Sequence, residues 1–307
     1  MAARLTAADL SGNPRRRRRE RLIHGVFLAA AGFSVLVSVA IVISLVGKAV
    51  AFLTQIHPSQ LLPGVWDPRH GQFGISTLLA GTFIVSVVAM AVATPLGLGA
   101  AIYLSEYARP RARRTLKPIL ETLAGIPSVV MGFFALTVIS PDLIRSLFSN
   151  ASLFNMAAAG VGVGILVTPL VASVAEDGMY AVPATLREAS YGLGAKKRTT
   201  SLRVVFPAAI SGIVAALILG ISRAVGETMV VAIAAGATGT SAFTLNPLTY
   251  GNTMTTAMSS LAIGSDAVGG SKAAFPSLFF VGLLLFVLTL MLNVVANRFV
   301  RRVRTRY

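Results

Sequence analysis

The chain contains no cysteine among its 307 residues, which excludes disulfide bonds and thiolate metal or redox sites. It has only three histidines, His24, His57 and His70, and none has a partner at metal-ligand spacing. Charged residues make up 12% of the chain, whereas a soluble domain carries about 25%. This shortage of charge excludes a water-exposed globule. We interpret the histidines as incidental polar residues near a membrane surface.

A nucleotide-binding phosphate loop is also missing. Gly47-Lys48 is the one Gly-Lys pair, but no glycine lies five residues before Gly47, and Ala49 follows the lysine. No catalytic constellation is visible elsewhere in the sequence. We therefore predict that the chain is not an enzyme, has no ATPase site of its own, and holds no cofactor or metal.

Hydrophobic residues are abundant: they make up 55% of the chain, and the mean hydropathy is +0.76. They form six apolar runs, each long enough to cross a bilayer as a helix, at about residues 22–46, 75–104, 118–139, 156–175, 208–235 and 275–299. The first run exceeds the ~7–15 apolar residues of a signal peptide and has no cleavage site. The pattern predicts an all-α membrane protein with about six transmembrane helices, the first of them retained.

The basic residues indicate the orientation in the membrane. If residues 1–21 are cytoplasmic, 22 of the 27 lysines and arginines fall in the four cytoplasmic segments and four fall outside; the last, Arg223, lies within a span. Such a bias is typical of membrane topology. We predict that both termini are cytoplasmic, with basic tails at 1–21 and 301–307 near lipid headgroups, and that the chain binds no nucleic acid.

Several sequence details give local expectations. Gly125, Ile126 and Pro127 predict a break inside the span 118–139. Residues 254–262 can form a short helix that dips toward the membrane. Three small residues in the fourth run predict close helix packing, namely Gly160, Gly162 and Gly164.

Arg223 and Glu227 are two charges inside the fifth apolar run. A charge at the bilayer centre costs at least about 2.5–3.5 kcal/mol, so such residues face a protein interior or a water-filled path. Their i,i+4 spacing places them on one face of a continuous helix. One interpretation is a salt bridge that fastens this helix. The other is an oxyanion path to which Thr228 also belongs. Arg223 donates to the passing anion, and Glu227 holds the arginine and limits how tightly the anion is trapped.

The other acidic residues near the spans are Glu121, at the start of the third, and Glu176-Asp177, after the fourth. We expect all three to lie at the membrane interface and to reach water by snorkelling.

The polar stretch between the fourth and fifth runs carries a recognisable motif. It reads Glu188-Ala189-Ser190, three residues, Gly194, nine residues, then Val204-Val205-Phe206-Pro207. This spacing resembles the EAA loop of ABC-importer permeases, Glu-Ala-Ala, x3, Gly, x9, Ile-x-Leu-Pro. Ser190, Val204 and Phe206 depart mildly from that pattern.

In that family the loop forms two short helices, the coupling helix, which sit in a groove of the ATPase subunit. The resemblance implies a coupling loop at 183–207 here, in which Gly192 and Gly194 allow a sharp turn between the two helices. It assigns the ATPase contact to Glu188, Ala189, Ser190, Gly194 and Pro207.

Three further segments resemble the phosphate-specific importer permeases, the C-type subunit more than the A-type. They begin at Pro95 (Pro-Leu-Gly-Leu-Gly-Ala-Ala), Leu123 (Leu-Ala-Gly-Ile-Pro-Ser) and Arg223 (Arg-Ala-Val-Gly-Glu-Thr-Met). The resemblance covers about residues 75–300 and implies the type I ABC importer permease fold in a bacterial cytoplasmic membrane. It also implies a sister permease subunit, two ATP-binding subunits and an external phosphate-binding protein.

The predicted organisation is therefore a tail at 1–21, a first helix with an external loop at 22–74, the permease domain at 75–300, and a tail at 301–307. Two alternatives stay open. One is a permease of the same superfamily for another oxyanion, such as sulfate or molybdate. The other is a secondary transporter or channel, which would be expected to show internal repeats; we find none in the sequence.

Overall fold

The structure is a computed structural model that describes residues 14–62, 64–236, 239–263 and 271–304. The predicted tails at 1–21 and 301–307 fall partly outside these ranges. Most of the described residues are helical. The α-helices are α1 Pro14–Gln55, α2 Ile75–Ile102, α3 Pro110–Leu123, α4 Ser128–Phe134, α5 Arg145–Leu147, α6 Met156–Tyr180, α7 Ala184–Gly192, α8 Lys197–Thr200, α9 Phe206–Ala208, α10 Ile210–Val225, α11 Met229–Val231, α12 Met254–Ile263 and α13 Ala274–Arg304.

Short π-helical stretches extend several of these helices, at Tyr103–Tyr107, Ala135–Ile144, Ser201–Val205 and Ala232–Gly236. In the part of the chain that the structure describes, five helical stretches are long and apolar enough to cross a membrane: Arg18–Gln55, Ile75–Tyr107, Ser128–Leu147, Met156–Tyr180 and Ala274–Ala296. Lys197–Ala208 and Ile210–Val225 form a sixth candidate, bent by 71°. The prediction of an all-α membrane protein with about six spans is confirmed.

The third span differs from its prediction. The run 118–139 is not one interrupted span, because its first residues belong to α3, a separate amphipathic helix without a buried residue. Five charged side chains on α3 keep it out of an apolar layer, and Pro127 precedes the first turn of α4. The span is Ser128–Leu147. Gly125, Ile126 and Pro127 therefore separate two helices with different environments.

The core of the bundle is the packing of α2 against α6, where glycines allow the two backbones to approach closely. A methyl group added at Gly160 would lie 2.6 Å from the Val88 Cβ, and one at Gly164 would lie 2.7 Å from the Ala89 carbonyl oxygen. Neither distance is possible between real atoms without movement. The close packing predicted for this glycine series is confirmed.

Gly160→Ala is therefore expected to destabilise the fold by about 1–3 kcal/mol, the range for overpacking a tight core. The measurement is the midpoint of thermal unfolding in detergent. Gly99→Ala is the matched control, because Gly99 lies on α2 and, among the described residues outside its own helical turns, none comes within 4 Å of an added methyl group. That variant should gain about 1 kcal/mol from helix propensity. Adding Val88→Ala to Gly160→Ala should recover part of the loss; equal midpoints for the two glycine variants would contradict the packing argument.

The bundle has two distinct ends. At one end lies a three-stranded antiparallel sheet in the order β2-β1-β3, formed by β1 Val65–Asp67, β2 Gln72–Phe73 and β3 Ser241–Ala242. Trp66 and Phe73 are paired across it and buried with Phe52. At the other end α6 leads into residues 183–207. The predicted helix at 254–262 is confirmed as α12, and its buried residues face α2 and α13.

Candidate functional site

The fifth span is discontinuous at the position of its charged residues. Helix α10 ends at Val225, Gly226 to Thr228 are not helical, and α11 begins at Met229. The 16 residues of α10 rise about 24 Å at 1.5 Å per residue, so the break lies deep in the bundle. Non-helical backbone at membrane depth is tolerated only where protein or a water-filled cavity surrounds it. The expectation of one continuous helix through Glu227 was wrong.

Arg223 and Glu227 remain close despite the break. The Arg223 Nη2 lies 3.9 Å from the Glu227 Oε2. The Arg223 side chain is 55% exposed, whereas that of Glu227 is 5% exposed. A carboxylate oxygen of Glu227 also accepts a 3.5 Å hydrogen bond from the Val230 N–H at the start of α11. The structure thus brings the two predicted residues together as a loose pair, one buried and one presented outward.

Threonine side chains connect the break to α12, and α12 to α2. The Thr255 hydroxyl donates a 2.8 Å hydrogen bond to the Glu227 carbonyl oxygen. The Thr82 hydroxyl on α2 accepts one of 3.0 Å from the Met254 N–H at the start of α12. Both threonines are buried. Sequence reasoning missed them, although the Thr253, Thr255 and Thr256 cluster before an apolar stretch was a visible signal for a capped buried helix.

This geometry favours a binding role for Arg223. A guanidinium exposed to lipid at this depth would be costly, so the surface that it faces is expected to be water-filled or covered by protein. At 3.9 Å the two charged groups lie beyond hydrogen-bond distance, so this ion pair holds the helix only loosely. Thr228, half-buried, lies in the break directly after Glu227. These features can present a fixed positive charge to an anion.

Residues 183–207 fold into two helical arms joined by a tight turn. The first arm is α7, and the second runs through α8 and Ser201–Val205 into α9. Gly194 has φ +77°, a left-handed conformation in which a side chain is strained. Gly192 is the last residue of α7 and has no positive φ. The predicted sharp turn is therefore made at Gly194 alone.

The five residues assigned to an ATPase contact have different surroundings. Glu188, Ala189 and Gly194 are exposed, whereas Pro207 is half-buried. Ser190 is buried, and its hydroxyl lies 2.9 Å from the Thr200 hydroxyl on the other arm. Where the family pattern has alanine, this chain thus has a serine that ties the two arms together. Beside them Leu193 is 90% exposed, an apolar side chain available to a partner.

Arg187 connects this loop to the spans. Its Nη2 donates a 2.8 Å hydrogen bond to the Glu106 carboxylate at the end of the second span, and Nε donates at 3.3 Å. Its Nη1 and Nη2 also donate to the carbonyl oxygens of Val182, at 2.6 Å, and Met179, at 2.9 Å. This contact could not be predicted from local sequence patterns, because Glu106 and Arg187 lie 81 residues apart.

Glu176 corrects an earlier expectation. It is fully buried within α6, so it does not reach water by snorkelling as expected, and two cations from α3 pair with it. Arg113 donates to one carboxylate oxygen, and Lys117 contacts the other at 2.7 Å. Lys117 also contacts Asp177 at 2.5 Å. Burial lowers the pKa of Lys117, but hydrogen bonds to Asp177 and Glu176 outweigh that effect and leave its pKa above the ordinary value. Glu121 is exposed.

The structure is a bundle of membrane-spanning helices with a pair of short helical arms at residues 183–207. A family model described as binding-protein-dependent transport system inner membrane component matches residues 93–305, which include the loop, Arg223 and Glu227. The chain belongs to this family and is a multi-pass membrane protein.

Named relatives are similar over most of the chain. The phosphate transport system permease protein PstC of Mesorhizobium japonicum is 30% identical over 305 residues, covering 94% of this chain and 91% of its own. PstC of Haemophilus influenzae is 32% identical over 284 residues, covering 86% and 88%. A probable ABC transporter permease protein, YqgH of Bacillus subtilis, is 32% identical over 269 residues, covering 86% and 85%. The predicted resemblance to C-type phosphate permeases is confirmed.

Solved structures agree on the fold. A chain of a bacterial ABC transporter that imports alginate matches with a TM-score of 0.62 at 16% identity, over 94% of this chain and 98% of its own. A chain of the MetNI methionine ABC transporter, in an inward-facing conformation, matches with a TM-score of 0.53 at 20% identity, over 75% and 94%. The ABC importer permease fold is therefore confirmed.

Proposed function

We propose that this chain is a membrane permease subunit of an ATP-driven importer that translocates inorganic phosphate across a bacterial cytoplasmic membrane. The observation that carries the proposal is Arg223, held 55% exposed at a helix break beside the buried Glu227. A guanidinium offers several donors in a planar fork that matches phosphate geometry. Arg223, Glu227 and Thr228 form the translocation site.

The exposed charge supports a pseudo-symmetric pair of permeases. Arg223 faces the path between this chain and a sister subunit, which can place a second arginine opposite. Two guanidinium groups suit a doubly charged oxyanion. Glu227 limits the net positive charge of the site, so that a bound anion can also leave it. The relatives named PstC support phosphate over other oxyanions.

The energy comes from two ATP-binding subunits. The ATP-binding subunits contact a surface formed by the exposed Glu188, Ala189, Leu193 and Gly194. Ser190 and Pro207 maintain the shape of the loop. In this arrangement both termini and the 183–207 loop are cytoplasmic. The sheet at the other end faces an external phosphate-binding protein. The chain alternates between outward-open and inward-open states as the ATPases close and open.

Uptake of labelled phosphate into proteoliposomes that contain the complete complex tests the proposal. We expect uptake that requires ATP and the loaded binding protein. Uptake of sulfate or molybdate without phosphate would assign the chain to another oxyanion permease. Flux driven by an ion gradient through this chain alone would overturn the ABC assignment altogether.

A further inference from the structure

The two neighbouring residues Arg187 and Glu188 point to different partners. Glu188 is exposed on the outer side of α7, where the proposed ATPase contact lies. The Arg187 side chain is 19% exposed and reaches toward the membrane spans. Helix α7 itself packs mainly on α8 and Ser201–Val205 of its own loop. The long side chain of Arg187 thus connects α7 to the rest of the bundle by hydrogen bonds.

That link joins two different spans. The carboxylate of Glu106 is 3% exposed and belongs to the π-helical stretch Tyr103–Tyr107 that ends the second span. The carbonyl groups of Met179 and Val182 belong to the C-terminal end of α6 and the residues just after it. Helix C-termini leave carbonyl groups without intrahelical partners, and a cation is favourable there. A single guanidinium therefore satisfies a buried carboxylate and caps a helix end.

We propose that Arg187 is a positioning residue that transmits the movement of the 183–207 loop to the second span and to α6. The inference rests on the proposed function and deepens it. When an ATPase subunit displaces α7, the guanidinium draws Glu106 and the end of α6 in the same direction. Because α2 and α6 pack closely through glycines, the two spans then move together.

A competing route exists within the same loop. Val205 is buried with Ala101, Met179 and Ile213 in an apolar cluster, so Ser201–Val205 also contacts the spans. If that contact carries the movement, the Arg187–Glu106 pair only stabilises this end of the bundle. The two possibilities differ in what happens when the pair is removed without altering the loop.

Glu106→Gln provides that test, because it changes no residue of the loop. It is compared with Arg187→Gln and with the double variant, each in the complete complex with the sister permease, ATPase subunits and binding protein. The measurements are retention of the ATPase subunits, ATP hydrolysis without binding protein, its stimulation by loaded binding protein, and substrate uptake. For Glu106→Gln we expect retained ATPase subunits and unchanged unstimulated hydrolysis. Stimulation and uptake should fall about tenfold, within the usual range of coupling between sites.

The double variant distinguishes loss of the Arg187–Glu106 contact from destabilisation of the fold by an unpaired buried charge. Arg187→Gln leaves the Glu106 charge buried without its partner, which is strongly destabilising, whereas neutralising both residues removes that penalty. The double variant should therefore assemble better than Arg187→Gln and yet remain uncoupled. Recovery of stimulation in the double variant would overturn the proposal, because it would show that the lone charge caused the defect.

Arg113→Gln is the matched control, since it disturbs a buried carboxylate at the same end, Glu176, that lies outside the loop. Its stimulation should remain within about twofold of the wild type, below the usual range of coupling between sites. An equal loss in this control, or normal stimulation and uptake in Glu106→Gln, would overturn the proposal. The wild-type complex is measured first. If it carries sulfate in place of phosphate, the substrate proposal fails, and the coupling test proceeds with sulfate.

Discussion

Arg223→Gln is expected to reduce ATP-driven phosphate uptake by at least about a hundredfold while the complex still assembles. In the proposed site, loss of the guanidinium would remove two or more charge-assisted hydrogen bonds to the anion, each worth about 1.5–3 kcal/mol, and every 1.4 kcal/mol is about a factor of ten. The Arg223–Glu227 pair spans 3.9 Å, beyond hydrogen-bond distance, and Glu227 keeps its hydrogen bond from the Val230 N–H, so we expect the complex to assemble without the guanidinium. Uptake and the yield of intact complex are measured on the same preparation.

Two further variants define what the arginine supplies. Arg223→Lys keeps the positive charge but loses the planar arrangement of donors. It should therefore retain partial uptake and bind phosphate more weakly than the wild type does. Arg145→Gln removes an exposed arginine outside the proposed path and should transport as the wild type does. If Arg223→Gln instead prevents assembly, the interpretation of the Arg223–Glu227 pair as a structural salt bridge is correct and the path proposal falls.

Gly194→Val is expected to weaken retention of the ATPase subunits by about tenfold or more. The φ of +77° at Gly194 is especially unfavourable for a β-branched residue, and a left-handed conformation costs about 1–2 kcal/mol for an ordinary side chain. Apart from the adjoining residues, no atom of the described part of the chain lies within 4 Å of a methyl group added at Gly194, so the effect is expected to come from the turn itself or from a partner surface. Co-purification of the ATPase with the tagged permease gives the measurement.

Gly194→Asn isolates the contribution of the backbone. Asparagine visits the left-handed region more readily than other residues with a side chain, so this variant should keep most of the ATPase if strain is the main cause. If Asn and Val are equally harmful, the side chain collides with the partner surface instead. Unchanged co-purification in Gly194→Val would remove Gly194 from the proposed contact.

Much of the architecture could be predicted because membrane-spanning helices leave strong local signals. The apolar runs, the glycines at 160 and 164, and the motif from Glu188 to Pro207 all depend on residues close together in sequence. The third span was misplaced because hydropathy joins 118–123 to the span, whereas the amphipathic pattern of α3 separates them. Helical periodicity in a sequence shows which face of a helix is polar. It is a poorer guide to the residue at which one helix ends and the next begins.

The site was harder to predict because its geometry depends on distant residues. Arg223 and Glu227 were identifiable as charges in an apolar run, but the break between them is stabilised by Thr255 on α12. Likewise the burial of Glu176 depends on Arg113 and Lys117 in another helix, and Glu106 meets Arg187 only after the bundle forms. Contacts between residues on different helices produce no recognisable spacing pattern within a single segment of the sequence.

The second arm of the loop, Lys197–Ala208, meets Ile210–Val225 at a bend of 71°, so the two helix axes are nearly perpendicular. A displacement along the axis of the second arm would act mainly sideways on α10 and would tilt that helix more than slide it, in addition to the movement that Arg187 is proposed to transmit to the second span and α6. Arg223 lies 13 residues beyond Ile210, a lever of about 20 Å at 1.5 Å per residue. A tilt of about 10° would therefore swing the guanidinium sideways by about 3 Å, roughly the length of one hydrogen bond. A shift of that size would be enough to break the proposed contact between Arg223 and an anion.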